Sequence, residues 1–349
     1  MDRDPDIEAP TGAPSLRDVA RLAGVSTATV SRALSQPDRV TKATRDAVMA
    51  AIASSGYRIN HAARSLRQQR AGMVVALVPN LANPFFSRIL GGMGEALADA
   101  STGLIVADTQ DARGRATARD ALVNRTRSDG VLLLDGSLGE QPPDARSGPG
   151  QPPLVTACEW VDGGQVSAVV ADNTDGARQA ITHLADLGHR HVALILGPDQ
   201  NVLTRERLAG ATGTAAIRGM TLSHLPGDFS LASGAAAART IAALPSSDRP
   251  TAVFAFSDFM ACGFLAEIQR QGLRVPHDLS VIGFDDIDLA PHLWPALTTI
   301  HQPRDAIGRR AAETVLALID PVRAASVPMR QTLPVRLIVR GSTGPAPAR

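Results

Sequence analysis

The chain has 349 residues, of which 44% are hydrophobic and 3% aromatic, with 35 basic and 34 acidic side chains. At about 100–200 residues per domain this length predicts two or three folded units, and so apolar a composition excludes a wholly disordered or collagen-like chain. No apolar run approaches the roughly 18–20 residues of a membrane helix, and the acidic, proline-broken start lacks the features of an export signal. We therefore expect a cytoplasmic protein with no membrane partner.

The number and positions of the lysine and cysteine residues exclude several kinds of catalytic and metal-binding site. Lys42 is the only lysine and has no glycine loop beside it, whereas a P-loop or a Schiff-base enzyme needs a lysine in a defined setting. The two cysteines are single and far apart, which fits neither a disulfide framework nor a zinc spacing. His183 lies on a predicted helix, and His189 and His191 flank the start of a predicted strand without acidic partners at ligand spacing. We therefore interpret the three histidines as packing and helix-end residues. We expect no metal and no cofactor.

Positive charge is concentrated near the start of the chain. Residues 1–14 form an acidic tail that we predict to be disordered, whereas residues 15–70 contain ten basic and only three acidic side chains. A cationic module joined to a mildly acidic body favours nucleic-acid binding through phosphate neutralisation and counterion release. On charge alone, a solvated basic face explains the pattern equally well.

Three short helices are predicted within residues 15–59. Apolar residues recur at helical spacing from Leu16 to Ala23, a Gly24–Ser26 turn follows, and a second helix is predicted at Thr27–Leu34. A third helix is predicted to begin after Thr41 as its N-cap. The residues predicted to be buried in the second and third helices are Val30, Leu34, Ala47, Val48, Ala51 and Ile52. This order is typical of a helix-turn-helix module, whose second helix fits the major groove of DNA.

At these positions the sequence resembles the lactose-repressor (LacI/GalR) family of bacterial transcription factors. The motifs are Leu16-Arg-Asp-Val-Ala20, Ala23-Gly-Val-Ser26, Thr29-Val-Ser-Arg32 and Gly56-Tyr57, in order and at family spacing. The resemblance implies a homodimer that binds double-stranded, palindromic operator DNA. It places the DNA contacts of the helical module at Leu16, Ser26, Thr27, Ala28, Thr29, Ser31, Arg32 and Tyr57. Arg32 has the donors to pair with guanine O6 and N7 in the major groove.

Residues 60–72 are predicted to form a hinge helix and linker. A helix of about two turns is too short to be stable alone in water, so it should become ordered only against a partner surface. The resemblance implies that the hinge helices of a dimer enter the minor groove, with contacts from Asn60, Ala63 and Leu66. In this interpretation Leu66 prises apart a base step and bends the duplex. Ile59 stands where the family commonly has proline, which makes the approach to the hinge less rigid.

From Met73 onward, predicted strands alternate with predicted helices, which is typical of parallel sheets with both faces covered. The strands include 73–78, 104–107, 131–134, 192–196, 251–256 and 279–284, and the helices include 84–100, 174–187, 206–217 and 258–271. Two such series predict two lobes. The predicted fold class is therefore α/β: an N-terminal three-helix helix-turn-helix DNA-binding domain and hinge helix, followed by a two-lobed, periplasmic-binding-protein-like body of doubly wound parallel sheets.

The chain is predicted to cross between the two lobes three times. Residues 15–59 form the DNA-binding domain, residues 73–170 and 302–322 the N-terminal lobe, residues 171–301 and 323–342 the C-terminal lobe, and residues 343–349 a flexible tail. The motif Leu297-Thr-Thr-Ile300 with Gln302 resembles the family's return crossover. We therefore expect the body to open and close about these crossings.

Polar and aromatic side chains follow the predicted strands, at the edge where open α/β sheets bind ligands. The residues that follow strands directly are Phe85, Phe86, Asp172, Ser257 and Asp285, whereas Arg207 follows the loop after residues 192–196 and Phe229 lies in another loop. Carboxylates and an arginine hold hydroxyls or ring nitrogens by charge-assisted hydrogen bonds, and phenylalanine covers an apolar ring face. The resemblance implies that these residues bind a small-molecule effector, which we expect to be sugar-like rather than a purine. Trp160, in a nearby loop, either stacks on this ligand or covers the lobe interface.

The sequence thus favours a ligand-controlled repressor over two alternatives. A transport-type sugar-binding protein shares the two-lobed body, but the cationic helical module and the missing export signal disfavour it. A hydrolase acting through Asp285 and Asp286 would need a nucleophile or a metal set, and the sequence offers none beside them. We interpret Asp258 and Asp286 as structural caps at helix starts. We expect that the protein is not an enzyme.

Leu66 allows a direct test of the hinge interpretation. Leu66→Ala removes the predicted wedge, so we expect most of the operator-specific affinity to be lost while effector affinity stays unchanged. Fluorescence anisotropy with operator and random duplexes measures the loss, and Ser65→Ala in the same segment is the control. An operator affinity equal to that of the wild type would refute the wedge role.

Overall fold

The computed structural model describes residues 14–57, 71–111, 113–116, 128–136, 151–161, 166–320, 322, 324, 327 and 329–348. The predictions for residues 1–13 and for the hinge, with Asn60, Ala63 and Leu66, lie outside these residues. The chain divides into two compact units, Met1–Gln69 and Arg70–Arg349, which we call the head and the body. None of the helices in the described ranges combines the length and apolarity that a bilayer crossing requires.

The head contains the three helices that the sequence predicts. They are α1 (Leu16–Leu22), α2 (Thr27–Ser35) and α3 (Lys42–Ser55). The Ser26 hydroxyl accepts a hydrogen bond from Thr29 N at 3.1 Å, and the Thr41 hydroxyl accepts one from Thr44 N at 3.3 Å. Both α2 and α3 therefore begin at a residue whose side chain satisfies a backbone N–H that the helix leaves unpaired.

One face of each head helix contributes to a small apolar core. The buried residues are Val19, Ala20, Val30, Ala33, Val48 and Ala51. The prediction that Ala47 is buried is wrong, because Ala47 is exposed. The face of α3 that packs on the core carries Val48 and Ala51, and Ala47 lies outside that face. Leu34 and Ile52 are half-buried at the edge of this core.

The first lobe of the body is built on a six-stranded, fully parallel sheet. Its strands are β1 (Met73–Val78), β2 (Gly103–Asp108), β3 (Gly130–Leu133), β4 (Leu154–Ala157), β5 (Ser167–Ala171) and β11 (Arg330–Leu333). Their order across the sheet is β11-β5-β4-β3-β1-β2. Two helices, α4 (Phe85–Asp99) and α9 (Arg304–Ile319), pack against each other, and α9 also contacts the sheet. The burial of the central strands β1, β3, β4 and β5 on both faces explains their continuous apolar sequences.

The second lobe repeats this plan with one antiparallel edge strand. Its strands are β6 (His191–Ile195), β7 (Thr221–Leu225), β8 (Ala252–Ala255), β9 (Ser280–Asp285), β10 (Thr298–His301) and β12 (Arg336–Ile338). Their order is β12-β10-β9-β8-β6-β7, with β12 antiparallel to β10. The helices are α5 (Asn173–Asp186), α6 (Val202–Arg218), α7 (Leu231–Ala242) and α8 (Asp258–Arg270). The α/β fold with two parallel-dominated sheets is thus confirmed.

The sequence prediction omits three strands of the second lobe, β7, β10 and β12, and one helix, α7. β7 reads Thr-Leu-Ser-His-Leu and is only partly buried, because it is the edge strand of its sheet. α7 contains six alanines among its twelve residues, so its buried face is built mostly from small side chains. β7 lacks the apolar run by which a buried strand is predicted, and the small side chains of α7 give only a weak apolar signal.

The pairing of β11 corrects the last predicted lobe boundary. Residues 323–342 were predicted to lie in the C-terminal lobe, but β11 pairs in parallel with β5 in the first sheet. Only then does the chain reach the second sheet, where β12 pairs with β10. Without β11, the N–H and C=O groups along one side of β5 would lie at an open sheet edge. The third crossing therefore follows Leu333.

The end of the chain is attached to the second lobe, which corrects the prediction of a flexible tail. Ser342 is fully buried, and its hydroxyl donates to Val281 O at 2.6 Å. Further on, Ala346 N donates to Leu187 O at 2.9 Å. These hydrogen bonds hold the last part of the described chain against β9 and the end of α5.

Two of the three histidines near the start of β6, His183 and His189, contact this attached end of the chain. The His183 ring nitrogen Nε2 is 3.0 Å from Thr343 Oγ1. His189 is fully buried, with Nδ1 2.9 Å from Thr251 Oγ1 and Nε2 3.1 Å from Ser280 Oγ. Burial lowers the pKa of both imidazoles. These contacts agree with the predicted packing role.

Gly92 allows α4 and α9 to approach closely, and Gly94 on the same helix provides a control. A Cβ at Gly92 would lie 2.2 Å from Asp305 O, whereas a Cβ at Gly94 would have nothing within 4 Å. We expect Gly92→Ala to lower the unfolding free energy of the body by about 1–3 kcal/mol, because the helices must separate. Gly94→Ala should leave it unchanged or raise it by about 0.5–1 kcal/mol. Urea denaturation measures both, and equal effects would contradict this packing argument.

Candidate functional site

The head presents a shallow groove beside α1 and α2. It is lined by Leu16, Arg17, Thr27, Ala28, Ser31, Arg32 and Gln36. Thr27, Ala28 and Arg32 are exposed, and the two ion pairs found in the described part of the head involve other residues. The groove therefore combines an exposed guanidinium with small side chains that allow close approach of a partner.

Five of the eight head residues predicted to contact DNA lie on this groove, namely Leu16, Thr27, Ala28, Ser31 and Arg32. The other three have structural contacts. Ser26 caps α2, Thr29 Oγ1 lies 2.9 Å from Ser26 Oγ, and Tyr57 packs against the head core. Arg17 and Gln36 were not predicted, although Arg17 adjoins a predicted residue inside the first motif.

The body contains a cleft of about 330 Å³ between its two lobes. Both walls are built from loops at the carboxyl ends of parallel strands, which is where open α/β sheets place ligands. Six of the seven predicted effector residues line it, namely Phe85, Phe86, Arg207, Phe229, Ser257 and Asp285. The strand-end rule thus brought together side chains from widely separated parts of the sequence.

Asp172 is the exception among the predicted cleft residues. It is absent from the described lining, and its carboxylate accepts a hydrogen bond from Asp175 N at 2.9 Å as the N-cap of α5. The next residue, Asn173, is buried and bonds to Arg207 instead. Because α5 begins immediately after Asp172, its carboxylate faces the unpaired N–H groups of that helix.

Arg207 is held firmly by the second lobe. It is 2% exposed, its Nε donates to Asn173 Oδ1 at 2.9 Å, and its Nη1 donates to Phe256 O. The guanidinium carbon lies 3.7 Å from the centroid of the Phe284 ring, and Nη2 lies 3.9 Å from Asp285 Oδ1. The charge is therefore positioned by hydrogen bonds, ring stacking and an opposite charge before any ligand arrives.

Asp285 lies at the end of β9 in an unusual backbone conformation. Asp285 and Asp286 have φ angles of 124° and 54°. The Asp285 carboxylate accepts a hydrogen bond from Gln302 Nε2 at 2.7 Å. Burial raises the pKa of Asp285, and the nearby guanidinium of Arg207 opposes that rise. A carboxylate in this setting is a strong acceptor for ligand hydroxyl or N–H groups.

Asp258 supports this turn from behind and is not the helix cap that we predicted. Ser257 is the N-cap of α8, where its hydroxyl accepts a hydrogen bond from Met260 N at 3.2 Å. The buried Asp258 carboxylate accepts from Ile287 N at 2.9 Å and from Thr299 Oγ1 at 2.5 Å. Burial, reinforced by the charge of Asp285, raises the pKa of Asp258.

The first lobe contributes polar residues to the cleft that the sequence interpretation missed. They are Asn80, Asn83, Gln110, Asp135 and Glu159, which face Asn201 and Asp228 of the second lobe. Glu159 Oε1 accepts from Asn201 Nδ2 at 2.8 Å, across the cleft, and Oε2 accepts from Gly136 N at 2.7 Å. Burial raises the pKa of Glu159. Asp135 and Glu159 come soon after β3 and β4, so the strand-end rule could have found them.

Trp160 lies at the junction of the lobes. The guanidinium carbon of Arg330 is 4.2 Å from the centroid of its ring, and Arg330 Nη2 is 3.1 Å from Glu206 Oε1 on α6. Trp160 is not among the described residues that line the cleft. Of the two roles left open by the sequence, this position agrees with covering the lobe interface.

Comparison with known proteins gives consistent matches over nearly the whole chain. Residues 15–60 match the model described as bacterial regulatory proteins, lacI family, and residues 181–343 match a periplasmic binding protein-like domain. The HTH-type transcriptional repressor CytR of Escherichia coli (strain K12) is 37% identical over 345 residues, covering 96% of this chain and 98% of CytR.

Two solved structures extend the comparison to the fold. The Lac repressor dimer bound to operator and the anti-inducer ONPF is 29% identical, with a TM-score of 0.82 over 95% of this chain and all of that chain. The complex of the transcriptional regulator CelR with cellobiose is 33% identical, with a TM-score of 0.68 over 94% of this chain and 99% of that chain. Each matches both the helical head and the two-lobed body.

Arg207→Ala tests whether the buried charge organises the cleft. It leaves Asp285 without its charged partner and two buried acceptors without a donor, so we expect the unfolding free energy of the body to fall by about 3–5 kcal/mol. Arg205→Ala, on the exposed side of the same helix, should change it by less than about 0.5 kcal/mol. Urea denaturation compares the two, and similar losses would show that Arg207 has no special role.

Proposed function

This chain belongs to the LacI family of bacterial regulatory proteins and is a ligand-responsive DNA-binding repressor, and we propose that its head reads a palindromic operator as part of a homodimer while a sugar-like effector occupies the cleft. The observation that carries the effector proposal is the surplus of carboxylate and amide acceptors around three phenylalanine rings. A DNA-binding repressor acts where the chromosome lies, so we also propose a cytoplasmic location. A repressor needs no catalytic step, and we propose that this protein is not an enzyme.

In the head, α2 is the recognition helix of this proposal. Arg32 is exposed and can donate two hydrogen bonds to guanine O6 and N7, while Thr27 and Ala28 are small enough to meet a thymine methyl group. Arg17, at the rim of the same groove, is placed to neutralise a phosphate. Ser26 and Thr29, at the start of α2, lie outside the groove, but we retain them as proposed DNA contacts because the family resemblance implies them. We retain Tyr57, after α3, for the same reason.

The hinge residues Asn60, Ala63 and Leu66 complete the operator contacts of this proposal. The two hinges of a dimer order together in the minor groove, and Leu66 inserts between base pairs. Their ordering depends on how far apart the two bodies hold them. A change in lobe arrangement therefore alters operator affinity without any ligand contact to DNA.

In the cleft, the ligand chemistry follows from the charges. Four carboxylates, those of Asp135, Glu159, Asp228 and Asp285, line the cleft beside one guanidinium, which is already bonded within the second lobe. Such a site repels anionic ligands and accepts hydrogen bonds from several hydroxyl groups at once. The phenylalanine rings cover an apolar sugar face. The cellobiose in the similar CelR structure supports this choice.

A coupling experiment tests both parts of the proposal. The purified protein first selects its operator from a random duplex library, and thermal-shift measurements then compare neutral mono- and disaccharides with purine bases and nucleosides. We expect a sugar to raise the melting temperature and to change operator affinity about 5–150-fold, the range of a coupling energy of about 1–3 kcal/mol. Stabilisation by purines but by no sugar would overturn the effector class. Failure to select any duplex would overturn the proposed operator reading.

The transport-type sugar-binding protein is the less favoured alternative. It accounts for the two-lobed body and the cleft, but it leaves the helical head, with its capped recognition helix and exposed Arg32, without a role. The match to repressors over both parts of the chain also supports the regulator. Protection of a DNA segment from nuclease by the full chain separates the two.

Arg32→Ala tests the proposed base contact. We expect a loss of about 1–3 kcal/mol in discrimination at one base pair of each half-site, because the bidentate contact to guanine is removed. Binding to a panel of single-base operator variants measures it. Arg21→Ala is the control, since Arg21 pairs with Asp18 on the surface of α1 and lies outside the groove. Uniform weakening on every duplex would instead make Arg32 a phosphate contact.

A further inference from the structure

Arg304 is buried at the junction of the two lobes, outside the cleft. It is the first residue of α9, immediately after the chain crosses from the second lobe back to the first. Only 3% of its surface is exposed, although arginine is rarely buried without a specific set of partners. The identity of those partners is therefore informative.

The guanidinium of Arg304 bonds to both lobes. Nη1 donates to the carbonyl oxygens of Pro84 and Phe85 in the first lobe, at 3.5 and 3.4 Å. Nη2 donates to Asp286 O at 2.7 Å and to Asp288 Oδ1 at 3.2 Å in the second lobe. The rigid, planar guanidinium thus links the Pro84–Phe85 backbone of the first lobe to the Asp286 carbonyl and the Asp288 carboxylate of the second lobe. No helix or strand pairing joins these segments.

Each of these backbone segments forms a wall of the cleft. Phe85, whose carbonyl Arg304 contacts, presents its side chain to the cleft from the first lobe. Asp286, whose carbonyl it also contacts, directly follows Asp285, which lines the cleft from the second lobe. Arg304 therefore fixes the spacing of the two walls from behind, without touching the cleft itself.

Asp288 extends this connection to a second arginine of the first lobe. Arg88 on α4 donates from Nε to Asp288 Oδ1 at 2.6 Å, and its Nη1 lies 3.4 Å from Asp305 Oδ2. The second-lobe carboxylate of Asp288 thus accepts from both Arg88 and Arg304. We call these three residues the junction cluster. Its ion pairs cross the lobe boundary, so their length must change whenever the lobes rotate.

Other charged groups at this junction hold Asp286, whose backbone carbonyl accepts a hydrogen bond from Arg304. Asp286 Oδ1 accepts from Arg340 Nη2 at 2.7 Å, and Asp286 Oδ2 lies 2.8 Å from His301 Nδ1. Both of these partners belong to the second lobe. They hold Asp286 within the second lobe. A movement of the first lobe would therefore change the hydrogen bonds of Arg304 and Arg88 rather than the position of Asp286.

We propose that Arg304 is a positioning residue of the effector cleft, and that the junction cluster sets the lobe arrangement on which operator affinity depends. The proposal rests on the repressor function proposed above. When a ligand draws the cleft walls into a different spacing, the bonds from Arg304 to Phe85 and Asp286 must lengthen or rearrange. The junction cluster thereby opposes one arrangement of the lobes and favours the other.

The test compares Arg304→Gln with Arg309→Gln in the full chain. Arg309 lies on the same helix and pairs with Glu95 on α4, so its ion pair stays within the first lobe. Cysteines are introduced at two exposed positions, Ala98 on α4 of the first lobe and Ala216 on α6 of the second lobe. They are labelled with a donor and an acceptor fluorophore, and only one subunit of each dimer carries the labels. Single-molecule energy transfer gives the distribution of inter-lobe distances without DNA or ligand. Affinity for the selected operator is measured separately.

We expect Arg304→Gln to shift or broaden the distance distribution and to change operator affinity at least fivefold, whereas Arg309→Gln does neither. A lowered melting temperature with an unchanged distance distribution would reduce Arg304 to a stabilising contact and overturn the proposal. A shifted distribution with unchanged operator affinity would overturn the link to DNA binding. If the wild type binds no duplex, the repressor function fails, but the distance distribution still decides the positioning role.

Asp288→Asn provides a second variant in case Arg304→Gln does not fold. The Asp288 side chain is 60% exposed, so its replacement leaves the interior intact while weakening the acceptor shared by both arginines. We expect the same direction of change in the distance distribution as for Arg304→Gln, and a smaller amplitude, because the carbonyl contacts of Arg304 remain. A distribution identical to that of the wild type would contradict a role for the junction cluster.

Discussion

The body depends on how the second lobe buries the charge of Arg207. An isolated guanidinium in a protein interior is very unfavourable unless its donors are bonded and an opposite charge lies nearby. Asn173 at the start of α5, the carbonyl of Phe256 after β8 and Asp285 at the end of β9 all converge on this side chain of α6. Four elements from distant parts of the chain must therefore reach their positions together. The same interaction that satisfies the buried charge also shapes the floor of the cleft.

The sequence was sufficient to predict this cleft wherever topology alone decides the position of a residue. Side chains that follow parallel strands lie at one edge of a sheet, whatever the details of packing, and Phe85, Ser257 and Asp285 were found in this way. Asp172 met the same criterion, but it caps α5 and is not among the described residues that line the cleft. An aspartate between a strand and a helix can face a ligand or cap the helix, and only the starting residue of α5 decides between them. The sequence does not define the first residue of a helix to an accuracy of one position.

Other features could not be predicted because they depend on contacts between distant segments. β11 reads Arg-Gln-Thr-Leu, without the apolar run of a central strand, and is a strand because β5 offers it an open edge. The chain after Gly341 looks like a loose proline- and alanine-rich end, yet Ser342 is buried against β9. The hydrogen bond between Glu159 and Asn201 joins two lobes whose relative position no local pattern specifies. In each case the stabilising partner lies far away in the sequence.

The turn from Asp285 to Asp288 shows how a small ligand can act on a large structure. Its first two residues hold positive φ angles of 124° and 54°, at a cost on the order of 1–3 kcal/mol each unless the surroundings enforce them. Asp258 enforces them through its bond to Ile287 N, and Gln302 through its bond to the Asp285 carboxylate. In the function proposed above, the effector binds this same carboxylate beside its hydrogen bond to Gln302. Asp288, three residues after Asp285, accepts hydrogen bonds from Arg88 and Arg304 of the first lobe, so this short turn reaches from the cleft to the lobe boundary. The strain of one such residue is of the same order as a typical allosteric coupling energy, about 1–3 kcal/mol.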